Sequence, residues 1–423
     1  MIIDFTITNF KSIKDAQTLS MLASGQPHHL PGNVASLNDG KIKLLRSAGI
    51  YGANASGKSN VINALNALVF VACQSGDIKD GDRIQSYEPC LVSPEAEGGP
   101  IEFEIEFIIE TGERCLYHIA YGPDRIVSES LSTFPSRAKA SIFIREEADS
   151  WETIRFGGHY KGGKKRFAFF PNNSYLSKAG NSADAPALIR HVFNYFRKNI
   201  LVMGKNEELD ITGWRQDSKM VSKVGNILSK IDVGITKLRF EKADISEVKF
   251  PDDIPDTVKQ IILERRHMEP RFLHEGRENH QFELTEENES DGTIKLYRML
   301  PSLVKIFEEG KVFLVDELEG SFHPHIAELI IRLFNDPKVN KRNAQLIFST
   351  HNTNLMSSKR LRRDQIWLTE KTQGETQLFS LDEFDKQEVR MDSPFDKWYD
   401  DGRFGAIPSI DYKTICEQIT GSF

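Results

Sequence analysis

Two glycines, a lysine and a hydroxyl side chain follow the spacing GxxxxGK[ST] in the stretch Gly52-Ala53-Asn54-Ala55-Ser56-Gly57-Lys58-Ser59. Glycines at these positions let backbone N–H groups curl around phosphate oxygens, and a helix that begins at Lys58 adds the partial positive charge of its N-terminus. Lys58 would reach the β- and γ-phosphates, and Ser59 would offer its hydroxyl to Mg²⁺. The pattern predicts a nucleoside triphosphate site whose contacts are Gly52, Asn54, Ser56, Gly57, Lys58 and Ser59.

Two adjacent carboxylates, Asp316 and Glu317, end an apolar run much later in the chain. The run, Val312 to Val315, is typical of a buried parallel strand, and such sheets bind ligands at the carboxyl ends of their strands. Asp316 would hold Mg²⁺, and Glu317 would act as the catalytic base that accepts a proton from an attacking water. A strand that merely ends in solvated acids is the alternative for this segment alone, and the phosphate loop disfavours it.

A histidine follows another apolar strand, Gln345 to Ser349, with Thr350 between them. A histidine at a strand end is more often structural than catalytic. Its position after the acid-tipped strand nevertheless predicts that His351 senses the γ-phosphate at the same sheet edge.

The elements that must position these residues follow an α/β pattern. A strand at Leu44 to Tyr51 precedes the loop, and a helix with one apolar stripe follows it from Lys58 to Ala72. Alternating apolar residues and glutamates from Pro100 to Thr133 predict an antiparallel meander. The chain is mainly helical in pattern from Phe167 to His280. The predicted domains are an N-terminal head part at 1–166, an inserted helical domain at 167–280 and a C-terminal head part at 281–423.

Composition describes an ordinary globular protein. The 423 residues exceed the usual single-domain range, and they are 39% hydrophobic and 27% charged with a formal net charge of -7. Basic segments remain at Lys161 to Arg166 and Lys359 to Arg363, so nucleic acid is neither indicated nor excluded. The four cysteines lack metal-site spacing. No secretory or membrane-spanning pattern is found, and a cytoplasmic location without membrane contact is expected.

The order of these motifs resembles the ABC-type P-loop ATPases, specifically the head domains of the SMC, RecF and OLD groups. Asn9 to Ser12 resembles their opening NFKSF segment, Asn60 follows the phosphate loop as it often does in them, and Asp316 to Pro324 resembles their DExExxxHP stretch. The resemblance implies a mixed sheet core with an antiparallel β meander and an inserted helical domain. It also implies ATP and Mg²⁺ as cofactors and adds Lys11 and Asn60 to the nucleotide contacts.

A second set of matches concerns a neighbouring subunit. Ser290-Asp291-Gly292-Thr293 resembles a divergent LSGGQ element, although Glu289 replaces the usual leucine. The resemblance implies a head-to-tail homodimer, or a higher oligomer, in which Ser290 and Gly292 contact the nucleotide held by Lys58 of the other subunit. Gln85 is the candidate for the Q-loop glutamine near the metal, and a plain surface glutamine is an equal alternative.

The segment Tyr399 to Pro408 resembles the closing GRFGAIP segment of small ATPases from bacterial anti-phage operons, including the RloA and PARIS types. A simple packing loop is the alternative interpretation. Because too few residues follow His351 for an OLD-type nuclease module, the sequence favours a sensor or scaffold ATPase that controls a separate effector, a nuclease or toxin, in response to DNA or a phage protein. A DNA-repair or DNA-organising ATPase of the RecF or SMC kind is the alternative.

Overall fold

The computed structural model describes residues 1–25, 29–136, 138–204, 213–231, 234–242, 268–320, 323–407 and 411–420. The chain divides into two compact units. The first unit comprises Met1–Lys205, Glu309–Glu319 and Ala327–Phe423. The second comprises Asn206–Glu308 and Gly320–Ile326.

The strands and helices are numbered in chain order over the described residues. The strands are β1 (Ile2–Thr8), β2 (Gln17–Ser20), β3 (Val34–Leu37), β4 (Ile42–Leu45), β5 (Ser47–Gly52), β6 (Ile101–Ile108), β7 (Arg114–Tyr121), β8 (Ile126–Thr133), β9 (Ala140–Glu146), β10 (Arg155–Phe156), β11 (Ile200–Met203), β12 (Ile235–Lys242), β13 (Met268–Glu275), β14 (Gln281–Leu284), β15 (Val312–Val315), β16 (Gln345–Ser349), β17 (Ile366–Thr372) and β18 (Glu375–Ser380). The α-helices are α1 (Lys58–Gln74), α2 (Pro94–Glu97), α3 (Tyr175–Gly180), α4 (Ala187–Asn194), α5 (Ser218–Leu228), α6 (Asp291–Glu309), α7 (Pro324–Asn335), α8 (Phe395–Asp400) and α9 (Tyr412–Thr420).

The central sheet of the first unit has the strand order β11-β15-β16-β5-β17-β18. Its neighbours pair in parallel from β11 to β17, and β18 pairs antiparallel with β17. Every residue of β5, β15 and β16 is buried, as the continuous apolar runs predicted. Because these three strands are parallel neighbours, their carboxyl ends deliver Gly52, Asp316 and His351 to one edge of the sheet.

A second sheet in this unit is wholly antiparallel, in the order β10-β9-β8-β7-β6-β1-β2. On β6 the residues Ile101, Phe103, Ile105 and Phe107 are fully buried, and exposed or half-buried glutamates alternate with them. The period-two pattern therefore predicted the buried face correctly, and the meander extends beyond the predicted range through β9 and β10. The predicted α/β class, with a mixed sheet and an antiparallel meander, is confirmed.

The residues from 167 to 204 belong to the first unit. Leu176 of α3 and Val192 of α4 lie in the same apolar cluster as Val71 of α1. The strand β11 pairs with β15 in the central sheet. The unit boundary therefore differs from the predicted insertion at 167–280, because α3 and α4 bury apolar residues in the head core and β11 pairs within its central sheet.

The second unit contains a three-stranded antiparallel sheet, β12-β13-β14, besides α5 and α6. The prediction of mainly helical structure from Phe167 to His280 was wrong for β12 and β13. Ile235 and Leu238 of β12 are buried, while Lys237 and Arg239 are exposed. Few apolar residues stand among many charged ones here, so the sequence gives only a weak strand pattern. In the core of this unit Tyr297 lies with its ring centroid 5.6 Å from that of Trp214 and 5.1 Å from that of Phe272. The predicted insertion also includes residues 205–212, 232–233 and 243–267, which lie outside the described residues.

No helix within the described ranges combines the length and the apolar character that a membrane crossing requires.

Candidate functional site

The loop between β5 and α1 contains two glycines with positive backbone φ angles. Gly52 has φ 152° and Gly57 has φ 111°. A Cβ on Gly52 would lie 2.4 Å from the Thr369 carbonyl oxygen, and one on Gly57 would lie 2.2 Å from Thr376 Oγ1. Both positions therefore require glycine for their backbone conformation and for lack of space. The loop leads directly into the N-terminus of α1, where a phosphate is stabilised by the helix dipole.

Lys58 is the first residue of α1, and its side chain turns back over the loop. Its Nζ donates to the carbonyl oxygens of Gly52 and Ala53, each at 2.9 Å. Burial lowers the pKa of Lys58 to about 8, although the nearby carboxylates of Asp316, Glu317 and Glu319 oppose that shift. The amino group is therefore still mainly an ammonium at neutral pH. Lys58 as a whole residue is 5% exposed. It is suited to bind an anion placed in the loop.

Ser59 and the end of β15 meet at a shared carboxylate oxygen. The Ser59 hydroxyl donates to Asp316 Oδ1 at 2.9 Å, and the Ser349 hydroxyl donates to the same atom at 2.5 Å. Ser349 Oγ also accepts from the Glu317 backbone N–H at 2.8 Å. Ser349 at the end of β16 thus holds the Asp316 carboxylate and the Glu317 backbone in place. In the sequence, this role is indicated only by a small polar residue at the end of an apolar strand.

Glu317 and His351 face each other at the same edge. His351 Nε2 lies 3.8 Å from Glu317 Oε1. Glu317 has φ 54°, which an L-residue adopts only when its surroundings hold it there. The Glu319 carboxylate accepts a hydrogen bond from the His351 backbone N–H. Glu319 therefore positions His351, and sequence reasoning did not assign it a role although it stands two residues after Glu317.

A chain of hydroxyl groups holds the outer side of the phosphate loop. Ser56 Oγ lies 2.6 Å from Thr369 Oγ1, and Thr376 Oγ1 donates to the Ser56 carbonyl at 2.8 Å. Thr376 Oγ1 also lies 2.6 Å from Ser12 Oγ, which accepts from Asn60 Nδ2 at 2.6 Å. Asn60 is thus engaged with the opening segment of the chain. The Ser56 carbonyl and the Gly57 N–H belong to one trans peptide unit, so they point in opposite directions. Because the carbonyl faces Thr376, the Gly57 N–H points away from Thr376.

Three further predicted residues are Lys11, Asn54 and Gln85. Lys11 Nζ pairs with Glu88 Oε2 at 3.2 Å. Asn54 is exposed at the tip of the loop, and Gln85 is exposed in the segment between α1 and α2. The predicted roles of Lys11 and Asn54 at the nucleotide and of Gln85 at the metal stay predictions.

Ser290 and Gly292 lie in the second unit at the start of α6. The Ser290 hydroxyl accepts from the Thr293 backbone N–H at 3.2 Å, which is the contact of a helix N-cap. Glu289, which stands where leucine is usual, is bonded to His274 of β13. Ser290 itself is exposed. The predicted contact of Ser290 and Gly292 with a second subunit stays a prediction.

The residues at the sheet edge fit a nucleoside triphosphate with Mg²⁺. The glycine cradle admits no side chain at Gly52 or Gly57, and one ammonium faces it. Across the described ranges, no three His, Cys, Asp or Glu side chains are grouped to hold a metal. Mg²⁺ needs no such group, because it is commonly bound by one or two protein oxygens together with phosphate and water. Ser59 and Asp316 provide that pair.

Comparison with known proteins agrees with this site. Residues 47–357 match the family described as "AAA domain, putative AbiEii toxin, Type IV TA system". No curated protein sequence matches the chain. Among solved structures, the SMC head domain from Thermotoga maritima has 12% identity and a TM-score of 0.40, covering 90% of this chain and 98% of that chain. The recombination mediator protein RecF with ATP has 15% identity and a TM-score of 0.34, covering 89% of this chain and 97% of that chain.

These two structural similarities concern the fold alone. The family match spans both the phosphate loop and His351, and it confirms the predicted P-loop ATPase class. The chain belongs to the AAA-domain family described as "AAA domain, putative AbiEii toxin, Type IV TA system".

Proposed function

We propose that the chain binds ATP with Mg²⁺ and hydrolyses the bond to the γ-phosphate. The observation that carries this proposal is the meeting of Ser59 with Asp316 at 2.9 Å, beside Glu317 and the buried Lys58. A phosphate cradle alone would support nucleotide binding. A carboxylate beside the metal position, with a second carboxylate next to it, offers hydrolysis a metal ligand and a proton acceptor.

Each side chain has one role in this proposal. Lys58 leaves the carbonyls of Gly52 and Ala53 to bind the β- and γ-phosphates, while Ser59 and Asp316 hold Mg²⁺. When bound, the metal neutralises charge that develops on the phosphate oxygens. Glu317 orients the attacking water and accepts its proton. His351 hydrogen-bonds the γ-phosphate, and Glu319 keeps its backbone in place.

The test of this function is phosphate release by the purified protein. We expect ATP hydrolysis that depends on Mg²⁺ and stops when the metal is removed with EDTA, because Asp316 and Ser59 act on the phosphates through the metal. Readdition of Mg²⁺ should restore the rate. A pure protein that binds ATP and releases no phosphate with Mg²⁺ present would contradict hydrolysis and leave a nucleotide-bound scaffold.

The proposed assembly is a head-to-tail homodimer in which Ser290 and Gly292 approach the nucleotide on Lys58 of the other subunit. Its support is the exposed serine at the N-terminus of a long helix, α6 (Asp291–Glu309). The N-terminus of a helix attracts anions, and the hydrogen bond from the Thr293 N–H to the Ser290 hydroxyl caps this N-terminus. The arrangement makes closure of the dimer depend on ATP.

We further propose a sensor or scaffold role in anti-phage defence, in which a separate nuclease or toxin does the damage. The support for this role is the resemblance of Tyr399 to Pro408 to the closing segment of small anti-phage ATPases. The family description names a putative toxin and no separate effector. ATP-driven closing and opening of the dimer changes the affinity of a docked partner only if that partner contacts the two states differently. The trigger in this proposal is DNA or a phage protein, and the location is the cytoplasm.

Co-purification tests the two-component role. We expect the tagged chain to retain the product of a neighbouring gene, with retention that differs between ATP and no nucleotide. Cells carrying both genes should reduce phage plaques, and cells carrying either gene alone should not. A chain that protects cells by itself, or that cleaves DNA when pure, would contradict the role.

The DNA-repair or DNA-organising alternative has one observation in its favour. Residues 161–166 are all exposed, and they include Lys164, Lys165 and Arg166. The second basic segment does not contribute in full, because Arg362 and Arg363 are 2% and 1% exposed. Salt-dependent DNA binding that is lost on Lys164→Glu/Lys165→Glu, with co-purification absent, would favour this alternative.

A further inference from the structure

The segment after α8 (Phe395–Asp400) reaches the phosphate loop. The Ala53 backbone N–H donates to the Ala406 carbonyl oxygen at 2.9 Å. Ala53 is the second residue of the GxxxxGK[ST] stretch, so one N–H of the phosphate loop is bonded to a residue more than 300 positions away in the chain. The segment Gly402 to Ala406 is called the tail turn below.

The tail turn is itself firmly held. The Ala406 carbonyl also accepts from the Tyr399 hydroxyl at 2.8 Å, and the Ala406 N–H donates to Glu370 Oε1 at 3.3 Å. Phe404 is buried with its ring centroid 5.4 Å from that of Phe384. Gly402, Gly405 and Ala406 all have φ between 59° and 76°, in the left-handed region. An alanine held at φ 59° indicates that the surrounding contacts determine the turn.

The contact with Ala53 bears on Lys58 through one peptide unit. The peptide between Gly52 and Ala53 donates its N–H to Ala406 and accepts Lys58 Nζ on its C=O at 2.9 Å. Because the peptide is planar, fixing the direction of the N–H also fixes the direction of the C=O. The tail turn therefore sets the orientation of the Gly52 carbonyl, which holds the Lys58 ammonium until Lys58 turns to the phosphates.

We infer that the tail turn is a positioning element of the nucleotide site. Ala406, held by the Tyr399 hydroxyl, keeps the phosphate loop in the shape that ATP binds. This inference rests on the proposed ATPase function. The turn binds the Ala53 N–H, and the Ser56 N–H donates to the Ala53 carbonyl oxygen at 3.2 Å, so phosphate would be bound by other N–H groups of the loop. A loop already fixed in its binding shape loses less conformational freedom when it binds, so the turn raises ATP affinity and leaves the chemical step to Glu317.

Substitutions at Tyr399 and Ala406 separate this role from a packing role. Tyr399→Phe removes one hydroxyl and keeps the ring, so we expect KM and the ATP Kd to rise about 3- to 10-fold with kcat nearly unchanged, the range for one hydrogen bond. Ala406→Pro cannot adopt φ 59° and should raise both constants more. Ala406→Gly adopts that φ freely and should raise them less than Ala406→Pro does. Tyr412→Phe, the same chemical change at an exposed tyrosine, is the matched control.

Hydrogen–deuterium exchange without nucleotide gives a readout that does not depend on ATP. The Ala53 amide should exchange faster in Tyr399→Phe and Ala406→Pro than in the unmodified protein or Tyr412→Phe, with thermal unfolding used to select folded variants. Faster exchange together with a higher ATP Kd is the expected result. Unchanged exchange, an unchanged Kd, or a fall in kcat at constant KM would overturn the inference. An unmodified protein that bound ATP without hydrolysing it would contradict the proposed hydrolysis. The ATP Kd and the exchange rate of the Ala53 amide would still test the role of the tail turn.

Discussion

Glu317→Gln should lower the rate of ATP hydrolysis about 10²-fold or more while ATP binding is kept. The substitution preserves the size of the side chain and removes the carboxylate that accepts the proton of the attacking water. Lys58, Ser59 and Asp316 are untouched, so the phosphate and metal contacts stay. Because hydrolysis is what opens the dimer in this proposal, the ATP-bound dimer should accumulate. Single-turnover phosphate release, nucleotide binding and size-exclusion chromatography measure these three effects.

The control for this variant is Glu147→Gln, the same change at an exposed glutamate that pairs with Arg125 at 3.5 Å on the surface. We expect it to keep the rate of the unmodified protein, since exposed ion pairs contribute little. Lys58→Ala should instead weaken ATP binding. A Glu317→Gln protein that hydrolysed ATP at the unmodified rate would remove Glu317 from the catalytic role.

The loop and the sheet edge could be predicted from the sequence because local chemistry determines them. A GxxxxGK[ST] stretch between a strand and a helix has one common structure, and the short apolar runs before Asp316 and before Ser349 are typical of buried parallel strands. Parallel pairing then forces the strand ends together, as the register of β15, β16 and β5 shows. The distance of 3.8 Å between Glu317 and His351 follows from that register and from the bend at Glu317.

The contacts behind the loop could not be predicted, because they join distant parts of the chain through ordinary residues. Thr376 contacts the Ser56 carbonyl and Ser12 Oγ, and nothing in the sequence around Thr376 distinguishes it from any other strand threonine. Ala406 is equally plain, and its carbonyl matters only because the fold brings it to Ala53. The resemblance of residues 399–408 to a known closing segment marked the region without indicating what it contacts.

The basic segment 359–363 shows how charge in a sequence misleads about a surface. Arg362 donates to Asp364 at 2.7 Å, and Arg363 donates to the backbone carbonyls of Leu381 and Phe384 at 2.9 and 2.6 Å. A buried guanidinium with several acceptors is a structural element, because leaving it unpaired would be costly. Of the two candidate segments for nucleic acid, residues 161–166 are exposed throughout, whereas Arg362 and Arg363 of the other segment are buried.

Mixing two inactive variants should restore activity if the ATP site is shared between subunits. Lys58→Ala removes the phosphate contact of its own site, and Ser290→Arg blocks the site of the neighbouring subunit. In a mixed dimer one site carries both defects and the other carries neither. With equal amounts and random exchange, half of the dimers are mixed and each has one working site of two, so about a quarter of the unmodified activity should return.

The matched control mixes Lys58→Ala with Glu317→Gln. Both changes lie on the same side of the shared site, so every site in a mixed dimer carries one defect, and no activity should return. Ser290 also caps α6 through Thr293 N–H, and losing such a cap costs about 1 kcal/mol, so thermal unfolding must show that Ser290→Arg is folded. Labelled subunits establish that exchange occurs. Recovery in both mixtures, or in neither despite exchange, would contradict the head-to-tail dimer, because only that arrangement separates Lys58 from Ser290 while keeping Lys58 with Glu317.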